Sequence, residues 1–157
     1  MKQILSNDII NQYMPTLVKC PLFNTLGEPE LRSYLNNAKV IIHSYKKNDF
    51  IALAGDPMEG IGVILEGSAL LTRENVMGQR VIMANLEQSD IFGEALLFSK
   101  QPLWPATIKA TKATKIMFIP LETFIKTLPD CHQCQTKILS NLLEDLSEKA
   151  ILLTDRK

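Results

Sequence analysis

The spacing of apolar residues divides the chain into three parts. Up to about residue 36, apolar residues recur at helical spacing, which predicts two helices over about 6–19 and 28–36. Pro15 is expected to bend or interrupt the first of these helices. From residue 40 to 120 the apolar runs are short, and from about Cys134 to the end a long helical pattern returns.

The middle part consists of short apolar runs separated by turn residues. The runs are residues 40–42, 50–53, 61–65, 69–71, 81–83 and 116–119. Short strands with turn signals about every 8 to 12 residues are typical of sandwiches, jelly rolls and barrels. This part is therefore predicted to be an antiparallel β-domain.

The last helix carries an apolar stripe with the spacing of a coiled-coil seam. The residues of this stripe are Leu139, Leu143, Leu146, Ala150 and Leu153. A second stripe, with Ile138 and Leu142, lies beside it, so one stripe is expected to cover the β-domain and the other to meet a partner helix. No Gly or Pro ends the pattern before Lys157, so we expect further chain beyond that residue.

Composition narrows the functional classes. The 157 residues include 17 basic and 17 acidic side chains, so the formal charge is zero. A self-sufficient DNA-binding domain usually has a basic excess, which is missing here. No apolar run approaches the roughly 18 residues of a membrane span, and the first residues lack a signal-peptide core. A cytoplasmic protein without a membrane partner is expected.

Cysteines and histidines give little support for metal or catalytic chemistry. An odd number of cysteines without a secretion signal argues against a disulfide framework. Cys131 and Cys134 form a Cys-x-x-Cys at a helix start, where a thiol pKa is lowered, so they are a candidate redox pair. The alternative is two structural thiols. His43 and His132 lie far apart in sequence, so we predict no metal site and no enzyme.

Residues 91–106 contain the strongest candidate for a ligand site. Gly93 and Glu94 begin a short apolar run, and a polar loop then leads to Pro105 and Ala106. Backbone N–H groups of such a turn can point together at one ligand oxygen. The stretch resembles the ligand cassette of cyclic-nucleotide-binding domains, and this resemblance implies the candidate ligand-binding residues Gly93, Glu94, Ala95, Leu96, Trp104, Pro105, Ala106 and Thr107.

Four motifs in order resemble the sensor half of the Crp/Fnr transcription regulators. They are residues 55–57, residues 64–68, Gly78 and residues 86–94, although Ser89 stands where the family usually has glycine. The resemblance implies a mainly β domain with flanking helices, an antiparallel double-stranded β-helix (jelly roll) and then one long dimerisation helix. The expected division is N-terminal helices over 1–37, an effector-binding β-roll over 38–120, and a short helix with the long helix over 121–157. A winged helix-turn-helix domain would follow and bind DNA.

The cassette departs from the family where the ligand's charge would be recognised. Members that bind cyclic AMP have Arg-Ser/Thr-Ala, whereas this chain has Trp104-Pro105-Ala106. Losing a bidentate arginine is expected to cost a cyclic nucleotide about two orders of magnitude in affinity. Lys100, in the same loop, is the candidate substitute cation. Otherwise Trp104 indicates a partly apolar effector, such as an aromatic acid, or is only a core residue.

The sequence therefore predicts the effector-sensing and dimerising domain of a Crp/Fnr-type regulator that responds to an unknown small ligand other than cyclic AMP. No cofactor is assigned. The expected partners are a second copy of the chain, the effector, and DNA through the following domain. The alternatives are a cyclic-nucleotide-binding module, or a stand-alone ligand-binding or scaffold domain without a DNA partner.

Overall fold

The structure, a computed structural model, describes residues 2–97, 99–124 and 132–154. Three α-helices and two short 3₁₀ helices, Glu94–Leu96 and Leu121–Phe124, are found among these residues. The α-helices are α1 (Asn7–Leu17), α2 (Glu28–Asn37) and α3 (His132–Thr154). The strands are β1 (Lys2–Ile4), β2 (Ile41–Tyr45), β3 (Phe50–Ala52), β4 (Gly60–Glu66), β5 (Ala69–Glu74), β6 (Arg80–Leu86), β7 (Ile91–Phe92), β8 (Thr107–Ala110) and β9 (Thr114–Pro120).

The described strands form two antiparallel sheets that face each other. One sheet has the order β1-β2-β9-β4-β7 and the other has the order β3-β8-β5-β6. Most neighbours in this order are distant in sequence, as in a roll in which the chain crosses repeatedly between sheets. The predicted jelly roll with flanking helices and one long final helix is therefore confirmed.

The central strands of the five-stranded sheet, β4 and β9, contribute side chains to cores on both of its faces, which explains their unbroken apolar runs. Along β4, Ile61, Val63 and Leu65 join a core formed with the helices, which we call the helical core. Ile64, between them, points the other way into a core between the two sheets, which we call the roll core. Alternation of side chains across a strand thus divides one apolar run between two cores.

The helical core holds the three helices against the sheet. Ser6 caps α1 by accepting the Ile9 N–H at 3.3 Å, and Pro15 lies in the last turn, two residues before the helix ends. The Ile138 and Leu142 side chains of α3 are fully buried in this core. The stripe with Ile138 and Leu142 therefore covers the β-domain, as one of the two predicted stripes was expected to do.

Three short strands, β1, β7 and β8, are not among the apolar runs from which strands were predicted. β1 pairs with β2, so residues within the predicted helical part belong to the sheet. β7 has only two residues, and β8 alternates between buried and half-buried positions over four residues. Such short segments carry too little periodicity to be recognised, and the neighbours with which they pair are remote in sequence. Among the described helices, none is long and apolar enough to cross a membrane.

Candidate functional site

The cassette turns sharply between β7 and the first 3₁₀ helix. Gly93 has a φ of 89°, which favours glycine, and its Cα faces two side chains of the roll core. A Cβ at this position would lie 2.9 Å from Met58 Cε and 3.2 Å from Trp104 Cζ3. Glycine is therefore required both by the backbone conformation and by the close packing, and it directs Glu94 toward α3.

A cavity of about 620 Å³ lies beside this turn, between the four-stranded sheet and α3. Its wall is mainly apolar and includes Leu71, Met83, Phe92, Trp104 and Ile108. Its polar groups are concentrated where the cassette meets α3. The charged residues among the described lining are Asp90, Glu94, Asp145 and Lys149.

Glu94 connects the cassette to α3 through Lys149. The Lys149 ammonium donates to Oε1 of Glu94 and lies 3.0 Å from Oδ2 of Asp145, one helical turn earlier. Burial lowers the pKa of Lys149, but the Glu94 and Asp145 carboxylates outweigh that effect and raise it above the usual value. The Glu94 side chain is only 7% exposed, and its Oε2 has no hydrogen-bond partner among the described residues. One buried carboxylate oxygen is thus available to a donor in the cavity.

Trp104 is at once a core residue and a wall of the cavity. Its backbone N–H donates to the Asp56 carbonyl at 2.8 Å, and its own carbonyl accepts from Gly55 at 2.8 Å. Its ring packs 5.7 Å from the Phe92 ring, and it is 7% exposed. Trp104 therefore belongs both to the roll core and to the lining of the cavity.

The remaining candidate residues of the cassette do not all line the same cavity. Pro105 and Ala95 line the cavity, whereas Ala106 is buried outside the lining. Thr107 lines a neighbouring cavity of about 420 Å³ that shares Pro105. The Leu96 side chain lies outside what the structure describes. Lys100 is exposed and is not part of the cavity lining, so the structure does not bring this candidate cation to the site.

Four charged residues near the cassette were not recognised from the sequence as site residues. Asp145 and Lys149 reach the cavity from α3, and their i, i+4 spacing was the available signal. Arg73 and Arg80, from β5 and β6, line the neighbouring cavity with Thr107. Their positions could not be inferred because they depend on how remote segments pack.

The predicted coiled-coil stripe is only partly exposed. Leu143 is 62% exposed and Ala150 is also exposed. Leu139 and Leu146 are partly buried and pack against the helical core. The backbone of Leu153 is helical, but its side chain lies outside the described part. The stripe therefore presents a narrower apolar surface than its spacing alone suggested.

Of the two cysteines in the Cys-x-x-Cys motif, the structure describes Cys134. Cys134 is buried near the start of α3, where its thiol donates to the Glu30 carbonyl at 3.5 Å. Cys131 lies outside the described residues. The Cys134 sulfur also lies 4.0 Å from Oε2 of Glu30. Within the described residues no cluster of His, Cys, Asp and Glu could hold a metal ion.

A jelly roll whose cavity is closed by a long helix and lined by a Gly-Glu turn defines a class of ligand-binding regulatory domain. Residues 42–130 match the family described as cyclic nucleotide-binding domain, and the chain belongs to this family. The resemblance to the sensor domains of Crp/Fnr regulators is thereby confirmed.

Similar proteins include regulators from several bacteria. The cAMP-activated global transcriptional regulator CRP of Pasteurella multocida is 29% identical over 125 residues, which are 78% of this chain and 59% of that protein. The sensor domain of the regulator DNR from Pseudomonas aeruginosa has a TM-score of 0.73 at 19% identity and 96% coverage of both chains. The Thermus thermophilus catabolite activator protein has a TM-score of 0.72 at 22% identity, covering 86% of this chain and 62% of that one. The chain thus spans about 59% of the curated relative's length.

Proposed function

We propose that this chain is the effector-sensing and dimerising domain of a Crp/Fnr-type transcription regulator that acts in the cytoplasm. Its effector is a small ligand other than cyclic AMP, which binds in the cavity between the β-roll and α3. Binding changes how α3 packs on the roll, and this shift moves DNA-binding domains attached beyond α3. The chain would itself catalyse no reaction.

The observation that carries this proposal is the position of Glu94. Its buried carboxylate lines the 620 Å³ cavity and contacts Lys149 on α3, so cavity and helix share one polar contact. A ligand that interacts with Glu94 must therefore affect the helix. The cavity volume lies within the range of small-molecule sites, and most of its wall is apolar.

A cyclic nucleotide is the second candidate, and one arrangement favours it. Arg73 and Arg80 line the neighbouring cavity, which meets the first at Pro105. A phosphate reaching past Pro105 could find a guanidinium there in place of the missing cassette arginine.

Calorimetric titration with cyclic AMP separates the two candidates. We expect no binding below millimolar ligand in folded protein. Micromolar binding that is lost in Arg80→Ala, but kept in a control Arg32→Ala, would reject the first candidate in favour of a nucleotide sensor. Arg32 is a suitable control because it lies on α2 and contacts Asn11, away from both cavities.

Dimerisation through α3 is tested at its most exposed apolar residue. Leu143 and Ile151 are 62% and 60% exposed, which is unfavourable unless a partner covers them. We expect Leu143→Asp to convert a dimer into a monomer in light-scattering measurements. Lys137→Met lowers the net charge by the same single unit outside this stripe, where Lys137 pairs with Glu30, and should leave the dimer intact. A monomeric wild-type protein would contradict this part of the proposal.

A further inference from the structure

We propose that Lys149 is an intramolecular occupant of the effector site and that the effector carries a hydrogen-bond-donating cation, an amine, which replaces Lys149 at Glu94. This inference rests on the proposed function and adds the chemical class of the ligand. It replaces the expected aromatic acid with a molecule of opposite charge, an apolar body bearing an ammonium group.

The charges around the cavity favour a cation. Three of the four charged residues in the described lining are acidic, and Lys149 is the fourth. The adjoining depression on the other side of Asp145 is lined by two further carboxylates, Glu144 and Glu148. An anionic ligand placed beside Glu94 would meet this negative field with one lysine to offset it, whereas an ammonium would be attracted to it.

The two partners of the ion pair differ in exposure, which determines which of them can be displaced. The Lys149 side chain is 46% exposed, but that of Glu94 is 7% exposed. A displaced lysine ammonium regains water at small cost, whereas a buried carboxylate must keep a donor. The Glu94 carboxylate therefore acts as a fixed acceptor. The partner that can be exchanged is the ammonium.

The open acceptor adds a second contact for the ligand. Oε2 of Glu94 is buried and has no hydrogen-bond partner among the residues described. An ammonium has three N–H donors, so it can bind both carboxylate oxygens, whereas Lys149 uses Oε1. The ligand's body would then pack along Phe92, Trp104 and Ile108, which form the apolar wall.

Displacement of Lys149 has a consequence for α3. The Lys149–Glu94 contact ties the later turns of this helix to the cassette, while Ile138 and Leu142 anchor its earlier turns in the helical core. An amine at Glu94 would release the later turns alone. The ion pair is thus the point at which occupancy of the cavity is converted into a change in the helix.

The test uses three ligands that share a phenyl body and differ in charge: phenethylamine, phenethyl alcohol and phenylacetate. Binding to the 157-residue chain is measured by calorimetry. We expect the wild-type protein to bind the amine at least about tenfold more tightly than the acid. Lys149→Met removes the competing ammonium and should tighten amine binding by a further factor of about ten. Lys137→Met is the matched control, since Lys137 is on the same helix but pairs with Glu30 at 2.9 Å, outside the cavity.

The double variant Glu94→Gln/Lys149→Met keeps the test decisive if the single variant fails to fold, because it removes the buried Glu94 charge together with the ammonium that compensates it. Compared with wild type, it should lose at least about tenfold in its preference for the amine over the alcohol, and keep only the weaker attraction of Asp90 and Asp145. Phenylacetate binding more tightly than the amine, with loss of that binding in Lys149→Met, would overturn the proposal and make Lys149 an anion receptor. Absence of amine binding in both wild type and Lys149→Met would also overturn it. The proposed function would survive either result, because it requires only that some small ligand occupies the cavity.

Discussion

The ring of Phe92 lies directly over the backbone of Gly62, its partner across β4 and β7. A Cβ on Gly62 would overlap three atoms of that ring. Phe92 in turn contacts Trp104 and Phe118 at centroid distances of 5.7 and 6.0 Å. The absence of a side chain at Gly62 therefore allows this aromatic cluster, of which Phe92 and Trp104 line the cavity.

We expect Gly62→Ala to lower the free energy of unfolding by about 3 kcal/mol, because the added methyl group must displace Phe92 in a packed core. Gly78→Ala is the matched control. Gly78 has a φ of 79° and open space around it, so this exchange costs only backbone strain, about 1 kcal/mol. Urea unfolding measures both values, and equal losses in the two variants would show that Phe92 does not restrict Gly62.

Ser89 occupies a left-handed conformation, with a φ of 73°, in the turn where the family usually has glycine. Its hydroxyl donates to the Thr16 carbonyl at 2.8 Å, which fastens this turn to α1. Ser89→Ala loses the hydrogen bond and keeps the strain, whereas Ser89→Gly loses the bond and relieves the strain. We expect the glycine variant to be more stable than the alanine variant by about 1 kcal/mol in urea unfolding. An alanine variant as stable as the glycine variant would contradict this account.

Trp104 is the single tryptophan of the chain, so its emission reports on the cavity wall alone. We expect Trp104→Ala to destabilise the fold by about 3–5 kcal/mol, because it empties a position in the roll core. Leu103→Ala, at a neighbour that is 42% exposed, should cost less than about 1 kcal/mol. Thermal unfolding compares the variants. Similar losses for both would mean that Trp104 contributes no more to the core than its exposed neighbour.

Cys20 should make the fold sensitive to alkali. Burial raises the pKa of its thiol from 9.0 to about 12, so the folded state keeps a proton that the unfolded state releases above pH 9. The contribution of this thiol to the free energy of unfolding is fully present below pH 9 and is lost as the pH rises toward 12. Between pH 8 and pH 10.5 the loss amounts to about 2 kcal/mol.

Urea unfolding at pH 8 and at pH 10.5 measures the free energy of unfolding. Between these two pH values it should fall by about 2 kcal/mol less in Cys20→Ala than in wild type. Burial also raises the pKa of Tyr45 to about 12, but this group is present in both proteins and cancels in the comparison. If the free energy of unfolding depended on pH identically in the two proteins, the Cys20 thiol would not be the group responsible for the loss of stability in alkali.

Much of the fold followed from local patterns. Apolar runs such as residues 61–65 and 116–119 indicated buried strands, and the structure has β4 and β9 there. The long helical pattern correctly predicted α3, whose Ile138 and Leu142 side chains are buried in the helical core. β1 was missed because its stability comes from pairing with β2, which is far away in the sequence.

The site was less predictable than the fold. Gly93 and Glu94 were recognisable because a Gly-Glu turn is a contiguous motif, and Trp104 and Pro105 were named from the resemblance to the family's cassette. Lys100 was chosen as the substitute cation because it is close in sequence, yet it lies outside the cavity lining, where Lys149 is found instead. Proximity along the chain is a poor guide to which charge reaches a buried carboxylate.

The alternation of apolar and polar residues determined which segments form strands and helices, since that information is local and is set by side-chain periodicity. The family resemblance, with Trp104 at the position of the cassette arginine, led to the further expectation that a phosphate is not bound in the family's manner. Only the tertiary structure decided that Glu94 and Lys149, 55 positions apart, meet across the cavity. Such a contact depends on the packing of α3 against the roll, and packing between remote segments leaves no periodic trace in the chain.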